Sequence, residues 1–508
     1  MNHTVHNPAP EGGDIAALAK GGRTNFFGFL LRLAARAPFL FIAGRLYGAE
    51  ALGRFAYALV AVELAAQLAT LGQKRGLAQQ LSRGKQPAAH IIADGMVLSI
   101  ITGGALATLL MLFPQAMFPA GQFSDIDWLL PLAVIPFTLT DIALSALAYR
   151  YDIGATVKAR SVVEPWALSI AAAAAFFVLP HSGLALAYII SIFAAALAAL
   201  IPLFRAYGLP HGWTPHPFRI GKLALGNMPL AAADAVEWGT RRIDVVILGQ
   251  FATPTAVGVY WAAQQVASLP SKLKSSFEPI LGPVITRNLM EKNYGAIARQ
   301  VCQVGFWITA MQAGVALALG IPGEAVMGLV GPEFVGGTAA LAFLLIAEVV
   351  AATAVVSEAA LIYVARMKNL WISLSTISLQ AVLTVVFMMA VDHYHLSELY
   401  YAGGAALALA LALGFASVIK GLLLSRILGE PVNNWRWALI WAAAPAVLIG
   451  WIAIQLPEWL ELSLGVPLIL GVYGWMIWNK GFGPEDRLLF RRKVTKEPEE
   501  AQAEEVRS

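Results

Sequence analysis

The sequence predicts an all-α polytopic membrane protein of about fourteen transmembrane helices: two pseudo-symmetric six-helix lobes and a C-terminal helix pair. Three observations carry that expectation. Of 508 residues, 58% are hydrophobic and 13% charged, about half the charged share of a soluble domain. Apolar runs of about 20 residues, enough to cross a bilayer as a helix, recur along the whole chain. Lys and Arg gather on alternate connections between those runs.

The runs lie near 24–44, 54–72, 91–113, 128–149, 162–180, 184–204, 224–248, 258–284, 300–320, 338–362, 369–391, 399–423, 436–454 and 463–479. One set of connections holds Lys74, Arg75, Arg83 and Lys85; Arg150, Lys158 and Arg160; Arg205, Arg219 and Lys222; Arg287, Lys292 and Arg299; Arg366 and Lys368; and Lys420, Arg426 and Arg436. The other set is basic only in the first hairpin, at Arg45 and Arg54. The positive-inside rule makes the first set cytoplasmic and puts both termini inside. The 224–248 run is the most polar. Omitting it reverses the side of every later loop and destroys the alternation, so it must span. The expected organisation is an N-terminal tail 1–23 without a signal-peptide core, a first lobe 24–205, a linker 206–223, a second lobe 224–425, helices 13 and 14 over 436–479, and a charged tail 480–508.

An internal repeat relates the lobes. Residues 42–58 (IAGRLYGAEALGRFAYA) align without a gap to 247–263 (ILGQFATPTAVGVYWAA), a displacement of 205. Gly44 meets Gly249, Ala51 meets Ala256 and Gly53 meets Gly258. Six helices separate the stretches, so the repeats share one topology about an axis along the membrane normal.

The most unusual stretch is 234–244, DAVEWGTRRID, inside the seventh run. Charges at membrane depth are rare and functional by default. Asp234, Glu237, Arg241 and Asp244 share roughly 80° of a helix at 100° per residue, with Arg242 about 100° away. The first run carries Arg32 and Arg36 at i,i+4; the eighth carries Lys272, Lys274 and Glu278. Six cations at mid-membrane cost roughly 15–20 kcal/mol before compensation. Pairing with acids and a water-filled cavity between the lobes are the available compensations. Arg suits bidentate phosphate binding, so the cluster points to an anionic ligand.

Other patterns carry less. Asp125-Ile126-Asp127 matches a short metal–nucleotide motif, but its polar residues suit a helix cap before Trp128. Asp392-His393-Tyr394-His395 lacks a further ligand cluster, so no metal site is expected. Asp141, Glu164, Glu348 and Glu358 are isolated acids in apolar helices. No nucleotide-binding or nucleophile motif is present, which argues against an enzyme and a cofactor. One cysteine, Cys302, leaves no disulfide framework. The pI near 9.0 reflects basic loops rather than a nucleic-acid surface.

Residues 46–56 (LYGAEALGRFA), with Leu71-Gly72, resemble the first hairpin of Wzx-type polysaccharide flippases of the MOP exporter superfamily. Residues 244–251 (DVVILGQF) and 257–263 (VGVYWAA) resemble the matching hairpin of the second half. The likeness extends over roughly 20–425. It implies MATE-like lobes around a cavity in the bacterial inner membrane. It implies transfer of an undecaprenyl-pyrophosphate-linked oligosaccharide, with membrane lipids, an exchanged H+ or Na+, a polysaccharide polymerase and glycosyltransferases as partners. On that reading Arg32, Arg36, Arg241, Arg242, Lys272 and Lys274 contact pyrophosphate. Glu63, Asp234, Glu237, Asp244 and Glu278 couple an ion or pair with the cations. A lipid II flippase and a MATE cation exporter are the alternatives within the superfamily. Six bases against four acids on the first, seventh and eighth helices favour an anion.

Overall fold

The computed structural model describes residues 35, 37–83, 86–119, 121, 126–150, 152–275, 285, 287–483 and 486–487, with backbone only at 153, 233, 237, 240–241 and 270–275. Among the described residues the regular structure is all helical. A helical segment from residue 37 ends in the π-helical turn Ala43–Tyr47. The next helices are α1 (Gly48–Ala69), α2 (Gln73–Ser82), α3 (Ala88–Leu112), α4 (Val134–Tyr149), α5 (Glu164–Phe176) and α6 (Gly183–Tyr207). The second half contains α7 (Pro217–Phe251), α8 (Pro254–Ser275), α9 (Tyr294–Gly320), α10 (Gly323–Val330), α11 (Thr338–Val364), α12 (Arg366–His393) and α13 (Leu399–Leu428). The final pair is α14 (Ala438–Ala453) and α15 (Val466–Met476).

Nine of the described helical segments are long and apolar enough to cross a membrane, and α14 is a shorter apolar helix. The polar run is part of α7, one unbroken helix of 35 residues, about 52 Å long. Pro217 begins it, at a position where the missing amide would have no partner. Two elements fall where the sequence reading placed only loops. The amphipathic α2 lies at the basic end, burying Leu77 and Leu81. The eight-residue α10 and the 3-10 turn Pro332–Gly337 fold back at the opposite end. Both are too short for a hydropathy criterion tuned to spans.

The lobes meet where α1 crosses α8. A Cβ on Gly53 would overlap the carbonyl oxygen of Pro254, and one on Gly258 would overlap that of Ala49. Residues 49 and 254, like 53 and 258, differ by the repeat displacement of 205. The contact is therefore self-complementary, as in an interface between two copies of one surface. A large apolar core spreads from this crossing and includes Leu52, Val259, Tyr260, Met327, Phe334 and Leu341. A second core joins α9 and α11 to the final helix pair through Trp307, Leu439, Ile469 and Tyr473.

That pair is also fastened by a carboxylate. Asp486, 2% exposed, accepts from Trp307 Nε1 at 2.8 Å, Gln303 Nε2 at 3.0 Å, Arg436 Nη1 at 2.7 Å and the Gly483 amide at 2.9 Å. Burial pushes its carboxyl up, but the Arg436 bond and the other donors outweigh it and hold it below the usual carboxylate range. A depressed folded pKa stabilises above the unfolded value and is lost as pH falls through the folded one. Asp486→Asn should therefore destabilise the protein by about 2 kcal/mol at pH 7. Thermal unfolding in detergent should show this gap closing only on acidification below about pH 4; a gap independent of pH would contradict the assignment.

Candidate functional site

The sequence singled out eleven site residues. Arg32, Arg36 and Glu278 lie outside the described residues. Glu237 and Arg241 sit on α7 and Lys272 and Lys274 on α8, where only the backbone is described. Glu63, Asp234, Arg242 and Asp244 are described in full.

Arg242 on α7 crosses to the first lobe. Its Nη2 lies 3.2 Å from Glu63 Oε2 on α1, and each side chain is 24% exposed. Its Nη1 donates to Gln264 Oε1 on α8 at 3.3 Å. Gln264 Nε2 donates in turn to Asp244 Oδ2 at 3.1 Å, which also accepts from the Tyr260 hydroxyl at 2.5 Å. The other oxygen of Asp244 accepts from the Val245 amide at 2.8 Å. A polar chain thus runs from the first lobe through α7 into α8: Glu63, Arg242, Gln264, Asp244, Tyr260. The helical arc separates Arg242 from its acidic neighbours, and that offset turns it toward Glu63.

Nearer the basic end, α7 is joined to the first lobe by further polar contacts. Arg219 Nε lies 2.6 Å from Asp94 Oδ2 on α3, and Trp213 Nε1 donates to Asp94 Oδ1 at 2.8 Å. Gln80 Nε2 on α2 donates to Asn227 at 3.3 Å. Arg75 Nε on α2 lies 2.9 Å from Asp234 Oδ1. Asp234 is 3% exposed, so the arginine brought in from α2 is charge compensation delivered from outside its own helix. Helix spacing alone hides this, because Arg75 precedes Asp234 by 159 positions.

Two cations read as loop charges are in fact inside the helices. Arg160, in the π-helical Val157–Val163 that leads into α5, lies 2.5 Å from Asp141 and 2.7 Å from Glu164 and stacks over Phe137 at 4.2 Å. Lys420 on α13 is 4% exposed and lies 2.8 Å from Glu358 on α11. Asp141, Glu164 and Glu358 are therefore members of ion pairs within a lobe. The i,i+4 spacing of Arg160 and Glu164 is the signal that identifies the first cluster. Asp125 of the acidic motif lies outside the described residues. Asp127 is the first residue of the 3-10 helix Asp127–Ala133. Asp392 accepts from the Tyr401 hydroxyl.

The arrangement combines ion clusters inside each lobe with ion pairs between them, among which Glu63–Arg242 is partly exposed at both side chains. Such a pair can exchange partners with an anion that reaches the interface. Solved structures of membrane transporters share this fold. An inward-facing multidrug resistance MATE family transporter of the MOP superfamily matches with TM-score 0.63 and 14% identity, over 78% of this chain and 95% of that one. An outward-facing MATE family transporter gives TM-score 0.54 and 14% identity, over 83% and 98%. A MOP superfamily transporter from Pyrococcus furiosus Vc1 (DSM3638), reported with a binding pocket of reverse polarity that suggests a different function, gives 0.55 and 13%, over 83% and 96%. No curated protein sequence matches the chain.

The profile described as "Polysaccharide biosynthesis protein" matches residues 42–310, more than half of the 508 residues. The chain belongs to that family, on the MOP-superfamily transporter fold.

If Glu63 and Arg242 are partners, their effects on stability must be non-additive. Glu63→Gln and Arg242→Gln should each lower thermal stability, and the double variant should recover about 1–2 kcal/mol of the summed loss. A coupling near zero in detergent would show that the pair contributes nothing.

Proposed function

We propose that the protein moves an undecaprenyl-pyrophosphate-linked oligosaccharide from the cytoplasmic to the periplasmic leaflet of the bacterial inner membrane. The chemistry is translocation, with no covalent bond made or broken. The substrate is divided between phases. Its pyrophosphate and sugars require a wet, cationic cavity, while its polyprenyl tail remains in lipid. The observation that carries this reading is Arg242, partly exposed between the lobes of a polysaccharide-biosynthesis family member and paired with Glu63.

In this reading Arg32, Arg36, Arg241, Arg242, Lys272 and Lys274 receive the pyrophosphate, and lobe rocking exposes them to each side in turn. The acids divide by their partners. Glu63 and Asp234 neutralise arginines. The partners shown above for Asp244 (Tyr260, Gln264 and the Val245 amide) are neutral, which makes it the first carboxylate to test for H+ or Na+ coupling. Glu237 and Glu278 complete the set. The basic loops assign both termini to the cytoplasm. A polymerase and glycosyltransferases are the expected pathway partners.

Loss of one charge-assisted phosphate contact is worth about 1.5–3 kcal/mol, roughly tenfold or more in rate. In a bacterial strain that needs this gene for its surface glycan, Arg241→Ala and Arg242→Ala should each cut surface glycan at least tenfold. The protein should remain in the membrane at normal abundance, with the lipid-linked precursor accumulating inside. Arg242→Lys should restore part of the export, since it keeps the charge but loses the bidentate fork. Normal glycan in both alanine variants would sink the phosphate assignment.

A further inference from the structure

At the end of the bundle opposite the basic loops, each lobe caps a helix of the other. Arg45, in the π-helical turn before α1, donates from Nε to the Leu329 carbonyl at 3.2 Å and from Nη2 to the Gly328 carbonyl at 3.0 Å. Both carbonyls belong to the last turn of α10. Acceptors there have no intrahelical donor, and a cation complements the helix dipole. Glu333 reaches the other way. Its Oε2 accepts from the Ala49 amide at 2.8 Å, in the first turn of α1. The N-cap residue of α1, Tyr47, makes no side-chain cap, and a carboxylate is favoured chemistry at that position.

The surrounding backbone leaves little slack. A Cβ on Gly44 would overlap the Val330 carbonyl oxygen, and Gly48, at φ +81°, lies against the Glu333 carboxylate. The turn that presents Arg45 is thus seated directly on the element that presents Glu333.

We propose that Arg45 and Glu333 form a lock that holds this end of the lobe interface shut, by reciprocal helix capping rather than by mutual attraction. Every donor and acceptor in it spans the two lobes, so separation at this end breaks both caps together. Water satisfies the exposed helix ends once they part, which makes the lock reversible. Its expected strength is that of a cap, about 2- to 30-fold in an equilibrium constant. The lock rests on the alternating-access reading above, but its test needs no substrate.

The test is the labelling rate of a buried cysteine in purified full-length protein. The background is Cys302→Ser, which removes the native thiol, and the reporter is Val257→Cys. Val257 is 2% exposed and lines the same crevice as Gly53 and Tyr57. Arg45→Ala and the near-isosteric Glu333→Gln should each speed maleimide labelling about 2- to 30-fold, and Arg45→Lys should speed it less. The swap Arg45→Glu with Glu333→Arg places each charge against the wrong helix end, so labelling should exceed either single variant. Unchanged labelling in both single variants overturns the lock. A closed interface in the swap variant overturns capping in favour of a direct ion pair. If labelling responds as expected while glycan export proves independent of Arg241 and Arg242, the lock stands and the phosphate-site reading falls.

Discussion

Everything in the lobe arrangement depends on two helices touching backbone to backbone at Gly53 and Gly258. Small residues permit such close approach, and within a membrane that packing substitutes for a hydrophobic driving force. The crossing fixes the register of one lobe on the other, and its reciprocity follows the displacement of 205. Glu63 lies ten residues beyond Gly53 and Gln264 six beyond Gly258, about 15 and 9 Å along their helices. Two straight helices in contact at one point separate away from it. The Glu63–Arg242 pair sits on the diverging side, consistent with its 24% exposure at both groups.

Charge at membrane depth imposes the second constraint. A buried acid or base requires a partner or water, and the chain uses both solutions in different places. Arg160 with Asp141 and Glu164, and Lys420 with Glu358, are closed within single lobes. Such clusters contribute little net stability, but removing one member leaves an uncompensated charge. They suit parts that move as units. The Glu63–Arg242 pair is 24% exposed at both side chains, against 19%, 8% and 19% for Arg160, Asp141 and Glu164, so parting it carries a smaller desolvation penalty than opening the Arg160 cluster.

Loop charge alternation, a global property that one polar stretch cannot disguise, leads the sequence reading to treat 224–248 as a helix, and those residues lie within the unbroken α7. The glycine pattern also revealed the repeat, since Gly44, Gly53 and Gly258 sit against backbone and Gly249 against the Tyr57 ring, leaving no room for a Cβ at any of them. Pairings across helices stayed hidden. Glu63 and Arg242 are 179 positions apart, and helical periodicity relates residues only to neighbours on their own helix. Arg160 and Lys420 were misplaced because a base near the end of an apolar run also fits a snorkelling loop residue. The elements α2 and α10 escaped because neither is long enough to span, although α10 carries one half of the proposed lock.

The two ends of the bundle are held by contacts of different kinds, and this sets the direction of the energetic problem. At the basic end, the Arg219–Asp94, Gln80–Asn227 and Arg75–Asp234 contacts tie the first lobe to α7 itself. At the other end an apolar core joins Leu52 to Val259, Met327, Phe334 and Leu341, beneath the two charged caps. Parting that core exposes apolar surface at about 25 cal/mol per Å², whereas polar contacts exchange with water at small net loss. The resting arrangement should therefore be the one closed at the capped end. A ligand that reverses such a preference must bind the second state more tightly, by about 5.5 kcal/mol for a swing from 1:99 to 99:1. A pyrophosphate meeting several cations at once has interactions of that size available, and a ligand held by only one of them does not.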